Sequence, residues 1–160
     1  MKSNYMYSAE SVANAFLDLA RREGKFLTNM QLQKLVYIAH GYCLAKLHEP
    51  LFYNNIHAFE WGPVIPNLYK TLSHYRAGEV KDFIATDESP IAEDSAEMEI
   101  IREVWQDYGE LSGLELSDLT HRKGTPWSKT WRTNQYGVIS DELIAEHYRQ
   151  DLYERFANQP

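Results

Sequence analysis

Apolar residues recur at intervals of three and four along most of the chain, which is the spacing of amphipathic helices. The first such stripe contains Val12, Phe16 and Leu19 and follows Ser8, a residue type that caps helix N-termini. We therefore predict a first helix from Ser8 to about Arg22.

The second stripe is the most apolar of the chain. Thr28 and Gln31 have the spacing of a capping box at its start. One face of the helix that follows carries Leu32, Leu35, Val36, Ala39, Tyr42, Cys43 and Leu47. Tyr37 and Ile38 extend the apolar surface toward the opposite side. A helix that is apolar on more than one face is buried, so residues 28–47 are predicted to form the central helix.

After Pro50 the helical spacing of apolar residues gives way to the shorter alternation that is typical of strands. Residues 51–61 are predicted to form two extended pieces that flank a turn at Asn54 and Asn55, because asparagine tolerates the positive φ of tight turns. A further extended fragment is expected over 80–85.

Helix starts recur in the second half of the chain. Gly62 and Pro63 are expected to convert a strand into a helix, with proline at the first helical position. Later starts are predicted at Asp94 with Glu97, at Ser112 with Glu115, at Thr125 with Pro126, and at Ser140. The expected fold is mainly α: one compact domain over residues 1–160, with six or seven helices around helix 28–47 and a small antiparallel β element near 51–61 and 80–85.

Length and composition favour an ordinary globular domain. The chain has 160 residues, of which 44% are hydrophobic. No apolar run approaches the roughly 20 residues that span a bilayer, and the first residues lack the apolar stretch of a signal peptide. Cys43 is the only cysteine, so the chain cannot form an internal disulfide. These features predict a cytoplasmic protein without a membrane partner.

The net charge of −7 is unevenly distributed. Residues through Val80 carry a balance of +2, and the remainder carries −9. Between Asp87 and Asp118 the only basic residue is Arg102. Nucleic-acid binding needs clustered Lys and Arg, so this composition argues against a DNA or RNA partner.

Two interpretations of the acidic region remain open. It is either an ordinary solvated helix face, which is the commoner case, or a contact surface for a basic partner. The residues that represent the second possibility are Glu97, Glu99 and Glu103.

The usual signatures of catalysis are absent from the sequence. There is no glycine-rich phosphate loop, and the six histidines are too scattered for a helical or turn-type metal motif. His40 and Cys43 share one face of the central helix, where a packed thiol is the expected state. We expect no cofactor, no metal site and no enzymatic activity.

His121 has two possible roles. It could act as a general base with Glu60 as its acidic partner, in a small hydrolase or nuclease. The favoured alternative is structural: Thr120 bonds back into its own helix, and His121 ties the helix end to the turn at Pro126 and Trp127.

Two tryptophans stand beside prolines or glycines, a setting that favours burial. Trp61 and Trp127 could each anchor a partner, but core plugs with hydrogen-bonded indole N–H groups are the commoner case.

Three segments in this order resemble the Panacea domain family of bacterial and phage antitoxins. They are LQKLVYIAHG at 32–41, WGPV at 61–64, and LTH at 119–121 followed by the Pro126–Trp127 pair. The similarity extends from the first helix to the last and includes SocA-type antitoxins and GepA-like phage-associated proteins.

This resemblance implies a function that the residues alone do not. It implies an antitoxin that neutralises a cognate protein toxin by direct binding, and it brings no catalytic residues with it. The residues that would then hold neighbouring elements together throughout the family, as structural joints, are Trp61, Gly62, Pro63, Thr120, His121, Pro126 and Trp127. An alternative implied by SocA-type members is a proteolytic adaptor that delivers a toxin to the ClpXP protease.

Overall fold

A computed structural model describes residues 6–158. Within this range the chain forms seven α-helices, a short 3-10 helix at Ser73–Tyr75 and one two-stranded antiparallel sheet. The helices are α1 (Ala9–Arg22), α2 (Asn29–Leu47), α3 (Pro66–Leu72), α4 (Ala96–Tyr108), α5 (Gly113–His121), α6 (Pro126–Thr133) and α7 (Asp141–Ala157), and the strands are β1 (His57–Phe59) and β2 (Gly62–Val64). The mainly α architecture with a minor sheet is confirmed.

Helix α2 is the centre of the fold, as its sequence predicts. Its capping box is formed: the Gln31 N–H donates to Thr28 Oγ1 at 3.2 Å, and the Thr28 N–H donates to Gln31 Oε1 at 2.9 Å. Helices α1, α4, α5 and α7 all pack against α2. On the α7 side, the ring of Tyr148 fills the space that a Cβ at Gly41 would need, which lets the two helices approach closely.

The hairpin forms later in the chain than predicted. Strands β1 and β2 pair with Phe59 opposite Gly62, so the turn lies at Glu60 and Trp61. The predicted turn at Asn54–Asn55 is wrong because Asn54 has a different role: its Oδ1 accepts a hydrogen bond of 2.8 Å from the Ala9 N–H at the start of α1.

The predicted strand-to-helix joint is also displaced. Pro63 lies inside β2 opposite Ala58, and the helix α3 starts at Pro66 instead. Proline is compatible with a strand whose second edge is not paired.

Residues 80–85 do not form the predicted strand. The side chain of Asn14 on α1 takes the place of a partner strand. Its Oδ1 accepts from the Ile84 N–H at 2.8 Å, and its Nδ2 donates to the Ile84 carbonyl at 2.9 Å. Nearby, the Val80 N–H donates to the Leu27 carbonyl at 2.7 Å. Helix and loop partners thus satisfy backbone groups that an isolated strand would leave unpaired.

The remaining helix starts agree with the sequence to within one residue. Ser112, Thr125 and Ser140 cap α5, α6 and α7 as predicted. The cap of α4 is Ser95, whose Oγ accepts from the Met98 N–H at 3.1 Å, and not Asp94. Among residues 6–158, no helix is long and apolar enough to cross a bilayer.

Candidate functional site

The hairpin turn is held rigidly by two helices. Trp127 on α6 donates its indole N–H to the Phe59 carbonyl at 2.6 Å, and Ser117 on α5 donates its hydroxyl to the Trp61 carbonyl at 2.7 Å. The carbonyls of Phe59 and Trp61, on either side of Glu60, are therefore both hydrogen-bonded to side chains of α5 and α6. The backbone that carries Trp61 is fixed in place.

The two tryptophans have opposite environments. Trp127 is 9% exposed and is the hydrogen-bonded core residue that the sequence predicts. Trp61 is 68% exposed, so the same prediction is wrong for it. The cause is the position of the turn: with Trp61 at the hairpin tip, its indole extends beyond the sheet instead of into the core.

Trp61 borders a groove of about 740 Å³. Exposed apolar side chains from five different parts of the chain form its walls: Met30, Trp61, Tyr69, Leu114 and Tyr136. Buried polar side chains of α2 lie at its floor: Asn29, Gln33 and Lys34. We refer to this set of eight residues as the Trp61 groove.

Hydrogen bonds order two of the three floor residues. Gln33 Oε1 accepts from the Ile65 N–H at 2.9 Å, and its Nε2 donates to Asn29 Oδ1 at 2.9 Å. These bonds fix α2 against the end of β2. The floor is thus preorganised, as binding sites require.

Lys34 is the unusual member of the floor. It is 3% exposed, and its ammonium donates one hydrogen bond, to the Pro63 carbonyl at 2.7 Å. No acidic side chain pairs with it in the part of the chain that the structure describes. Burial lowers the pKa of Lys34 to about 7, because the interior disfavours the charged form.

Gly62 provides the space that the Lys34 ammonium occupies. Its φ of +123° belongs to a region that side chains with a Cβ rarely adopt. A Cβ added there would lie 3.0 Å from Lys34 Nζ and 3.6 Å from the His121 Cβ. The glycine is required by both its backbone conformation and its neighbours.

Tyr136 has a strained backbone at the rim of the groove. Its φ of 65° is left-handed and uncommon for a residue with a side chain. The Tyr136 N–H donates to the Ala58 carbonyl at 2.9 Å, and its ring lies edge-on to Phe59 and to Trp131 at centroid distances of 5.6 and 5.1 Å. The sheet and α6 together hold this tyrosine at the groove despite the strain.

Thr120 and His121 make the contacts that the structural interpretation predicts. Thr120 Oγ1 donates to the Leu116 carbonyl at 2.9 Å within α5. His121 Nδ1 bonds to the Ser117 carbonyl, and its ring lies edge-on to Trp127 at 5.3 Å. His121 therefore connects the end of α5 to the start of α6.

The two residues of the catalytic alternative, Glu60 and His121, are not hydrogen-bonded to each other in the described range, although Glu60 lines the groove. Nor do residues 6–158 contain a group of three or more His, Cys, Asp or Glu side chains that could hold a metal ion.

The other reactive residue types lie in the core. Cys43 is buried, and burial raises the pKa of its thiol to about 12. His40 accepts a hydrogen bond at Nδ1 from the Leu51 N–H at 3.2 Å and contacts Asp141 through Nε2 at 2.9 Å. Cys43 is thus the packed thiol that the sequence predicts, and His40 links α2 to Leu51 and Asp141.

The predicted acidic face lies on α4, but its charges differ in accessibility. Glu103 pairs with Lys46 at 2.7 Å, Glu97 is half-buried, and Glu99 is exposed. Lys46 on α2 therefore compensates one charge of this face. The proposal that this face meets a partner stays a prediction.

No sequence motif marks Lys34, Tyr69, Leu114 or Tyr136 as a site residue. For Lys34 a signal was present, because a lysine in a helix that is apolar on more than one face must either be buried or extend its ammonium to the surface. For the three apolar residues there was none, since their exposure depends on how distant segments meet.

Comparisons with known proteins agree with the resemblance of the motifs. The family model described as "Antitoxin SocA-like, Panacea domain" matches residues 32–128, a range that includes Lys34, the hairpin and Trp127. "Antitoxin SocA" of Caulobacter vibrioides (strain NA1000 / CB15N) is 31% identical over 156 residues, which cover 88% of this chain and 82% of that protein. No solved structure gives a significant match.

Proposed function

Because the chain belongs to the SocA-like Panacea domain family, we propose that it is an antitoxin that neutralises a protein toxin by direct binding. The observation that carries this proposal is the alignment with Antitoxin SocA along 88% of the chain. The similarity is not confined to one motif, so it includes both the core helix and the surface around the hairpin.

The geometry of the Trp61 groove supports a binding function. Large apolar side chains are exposed together at one place, and surfaces of this kind on soluble proteins are commonly interaction sites. The backbone beneath Trp61 is fixed by the Ser117 hydroxyl, so little order has to be gained when a partner binds.

The test is co-expression with the product of the adjacent open reading frame. If that product is a toxin, this protein should restore growth and should co-purify with it as a stable complex. Growth rescue without a complex, accompanied by loss of toxin only in cells that contain ClpXP, would instead identify a proteolytic adaptor. A harmless neighbour and no co-purifying protein would contradict the proposal.

The acidic face of α4 would contribute to this function at long range. Charges at the rim of an interface chiefly change the association rate. Replacing Glu97, Glu99 and Glu103 together by Gln should slow toxin association several-fold at low salt and flatten its salt dependence, with little effect on dissociation. Stopped-flow binding at two salt concentrations measures this, and identical association rates would remove the face from consideration.

A further inference from the structure

We propose that the Trp61 groove is the toxin-docking site and that it receives a toxin segment in which a carboxylate side chain is flanked by bulky apolar side chains. The identity of the partner as a toxin rests on the proposed function. The chemistry of the segment is argued from the groove itself.

The carboxylate follows from Lys34. An ammonium group has three N–H donors, and here one of them bonds to the Pro63 carbonyl. Among residues 6–158 no carboxylate pairs with this buried cation, and a carboxylate from a partner would supply a counter-charge and further hydrogen-bond acceptors. The position of Lys34 in the floor makes the groove the route by which such a group would reach it.

The flanking apolar side chains follow from the groove walls. Trp61 is 68% exposed and Leu114 is 77% exposed, and Tyr69 lies on the same groove. Tryptophan and tyrosine are the residues that most often dominate binding energy at protein interfaces. Apolar side chains on either side of the partner's carboxylate would cover these groove walls and exclude water from its ion pair with Lys34.

The size and charge of the groove favour a peptide segment over other occupants. Its volume of about 740 Å³ lies in the range of sites that enclose ligands larger than a single side chain. Arg76 and Glu60 also line it, so the groove lacks the cluster of basic residues that a nucleic acid would need.

The first experiment identifies the preferred occupant without knowledge of the toxin. Random dodecapeptides displayed on phage are selected on the wild-type protein, and binders are removed on a Trp61→Ala/Leu114→Ala variant. We expect enriched peptides to contain Asp or Glu between aliphatic or aromatic residues. Enrichment of basic motifs, or of none, would overturn the proposal.

The second experiment tests the ion pair by titration calorimetry with one enriched peptide and its amide counterpart. Changing the acid of the peptide to Asn or Gln should weaken binding to the wild-type protein about tenfold or more. With Lys34→Met the acid and amide peptides should bind about equally. An acid preference that persists in Lys34→Met would show that Lys34 is not the recognising group.

A matched control separates the groove from general surface hydrophobicity. Tyr153 is 68% exposed, as Trp61 is, but it lies on α7 outside the groove. Tyr153→Ala should leave peptide affinity unchanged, whereas Trp61→Ala should weaken it by roughly thirtyfold, with the same melting temperature in both. Equal effects of the two variants would refute a specific site.

The same variants distinguish failure of this inference from failure of the antitoxin function. If the toxin co-purifies equally with wild type and with Trp61→Ala, the antitoxin function stands and the docking site is wrong. If acidic peptides bind the groove but no toxin is neutralised, the chemistry of the groove stands and the antitoxin function is wrong. A wild-type dimer that Trp61→Ala dissociates in light scattering would identify a second copy as the occupant, and would overturn the proposal.

Discussion

Replacing Lys34 with Met should make the protein more stable at neutral and acidic pH. Methionine has a similar length and no charge, so it fills the same space at the floor of the groove. The replacement removes a buried ammonium that has no acidic partner in the described residues. Buried charges of this kind are often replaced by apolar residues with a gain in stability.

The magnitude follows from the pKa of Lys34, which burial lowers from 10.5 to about 7. Each pKa unit corresponds to about 1.4 kcal/mol, so the charged form lowers the free energy of unfolding by roughly 5 kcal/mol. Methionine removes this penalty but leaves the Pro63 carbonyl without its donor, which costs about 1–3 kcal/mol. A net gain of roughly 2–4 kcal/mol is expected near pH 6.

The sign of the pH dependence is determined by which state binds the proton more tightly. The folded pKa is lower than the unfolded one, so the penalty is fully present below about pH 7 and disappears as the pH rises toward 10.5. Wild-type stability should therefore rise by about 4 kcal/mol relative to Lys34→Met between pH 6 and pH 10. At the upper end the neutral lysine keeps its hydrogen bond, and the wild type should become the more stable protein.

Urea unfolding followed by tryptophan fluorescence at several pH values measures this crossover. Both proteins contain the other polar and ionisable side chains in and beside the groove, so the comparison isolates the change at position 34; they are Glu60, Tyr69, Arg76 and His121. A stability difference that stays constant from pH 6 to pH 10 would refute the argument. A variant that is more stable but binds the toxin less tightly would indicate that Lys34 is retained for binding.

Three further substitutions or modifications test the surroundings of the groove and the core. Gly62→Ala should lower the free energy of unfolding by about 1–3 kcal/mol, because it combines an unfavourable φ with a close approach to Lys34; an unchanged urea midpoint would contradict this. His121→Ala should lower the melting temperature by a few degrees, since it removes a backbone hydrogen bond and the ring contact with Trp127; loss of neutralisation at an unchanged melting temperature would disprove the structural role. Cys43 should not react with iodoacetamide at pH 8 until urea unfolds the protein, because its thiol is buried with a pKa of about 12; rapid alkylation of the native state, seen by mass spectrometry, would mean that the core is open there.

Most helices and their starts follow from local sequence. Thr28 with Gln31, Ser112 with Glu115, and the caps at Ser8, Thr125 and Ser140 act on backbone groups two or three residues away. Such contacts are complete within one helical turn, so they can be recognised without the tertiary structure. The apolar stripe of residues 32–47 likewise shows that α2 is central, because no neighbour is needed to see that it is apolar on several faces.

The extended segments depend on long-range contacts. Residues 80–85 have the composition of a strand, but Asn14, some 70 residues earlier, satisfies the backbone of Ile84. Asn54 has the composition of a turn, but its amide oxygen accepts a hydrogen bond from the start of α1. Short extended pieces are defined by their partners, which sequence spacing does not reveal.

The candidate site depends on long-range packing for the same reason. Trp61 and Trp127 stand in similar local sequence, yet one is exposed and the other buried, because α5 and α6 bind the carbonyls of the hairpin turn and leave only its tip outside. The local sequence of Lys34 predicts a helical residue, but its burial results from β2 lying across α2. Local hydrogen bonding determined the helices of this protein, and the packing of elements distant in sequence determined its extended segments and the side chains that a partner can reach.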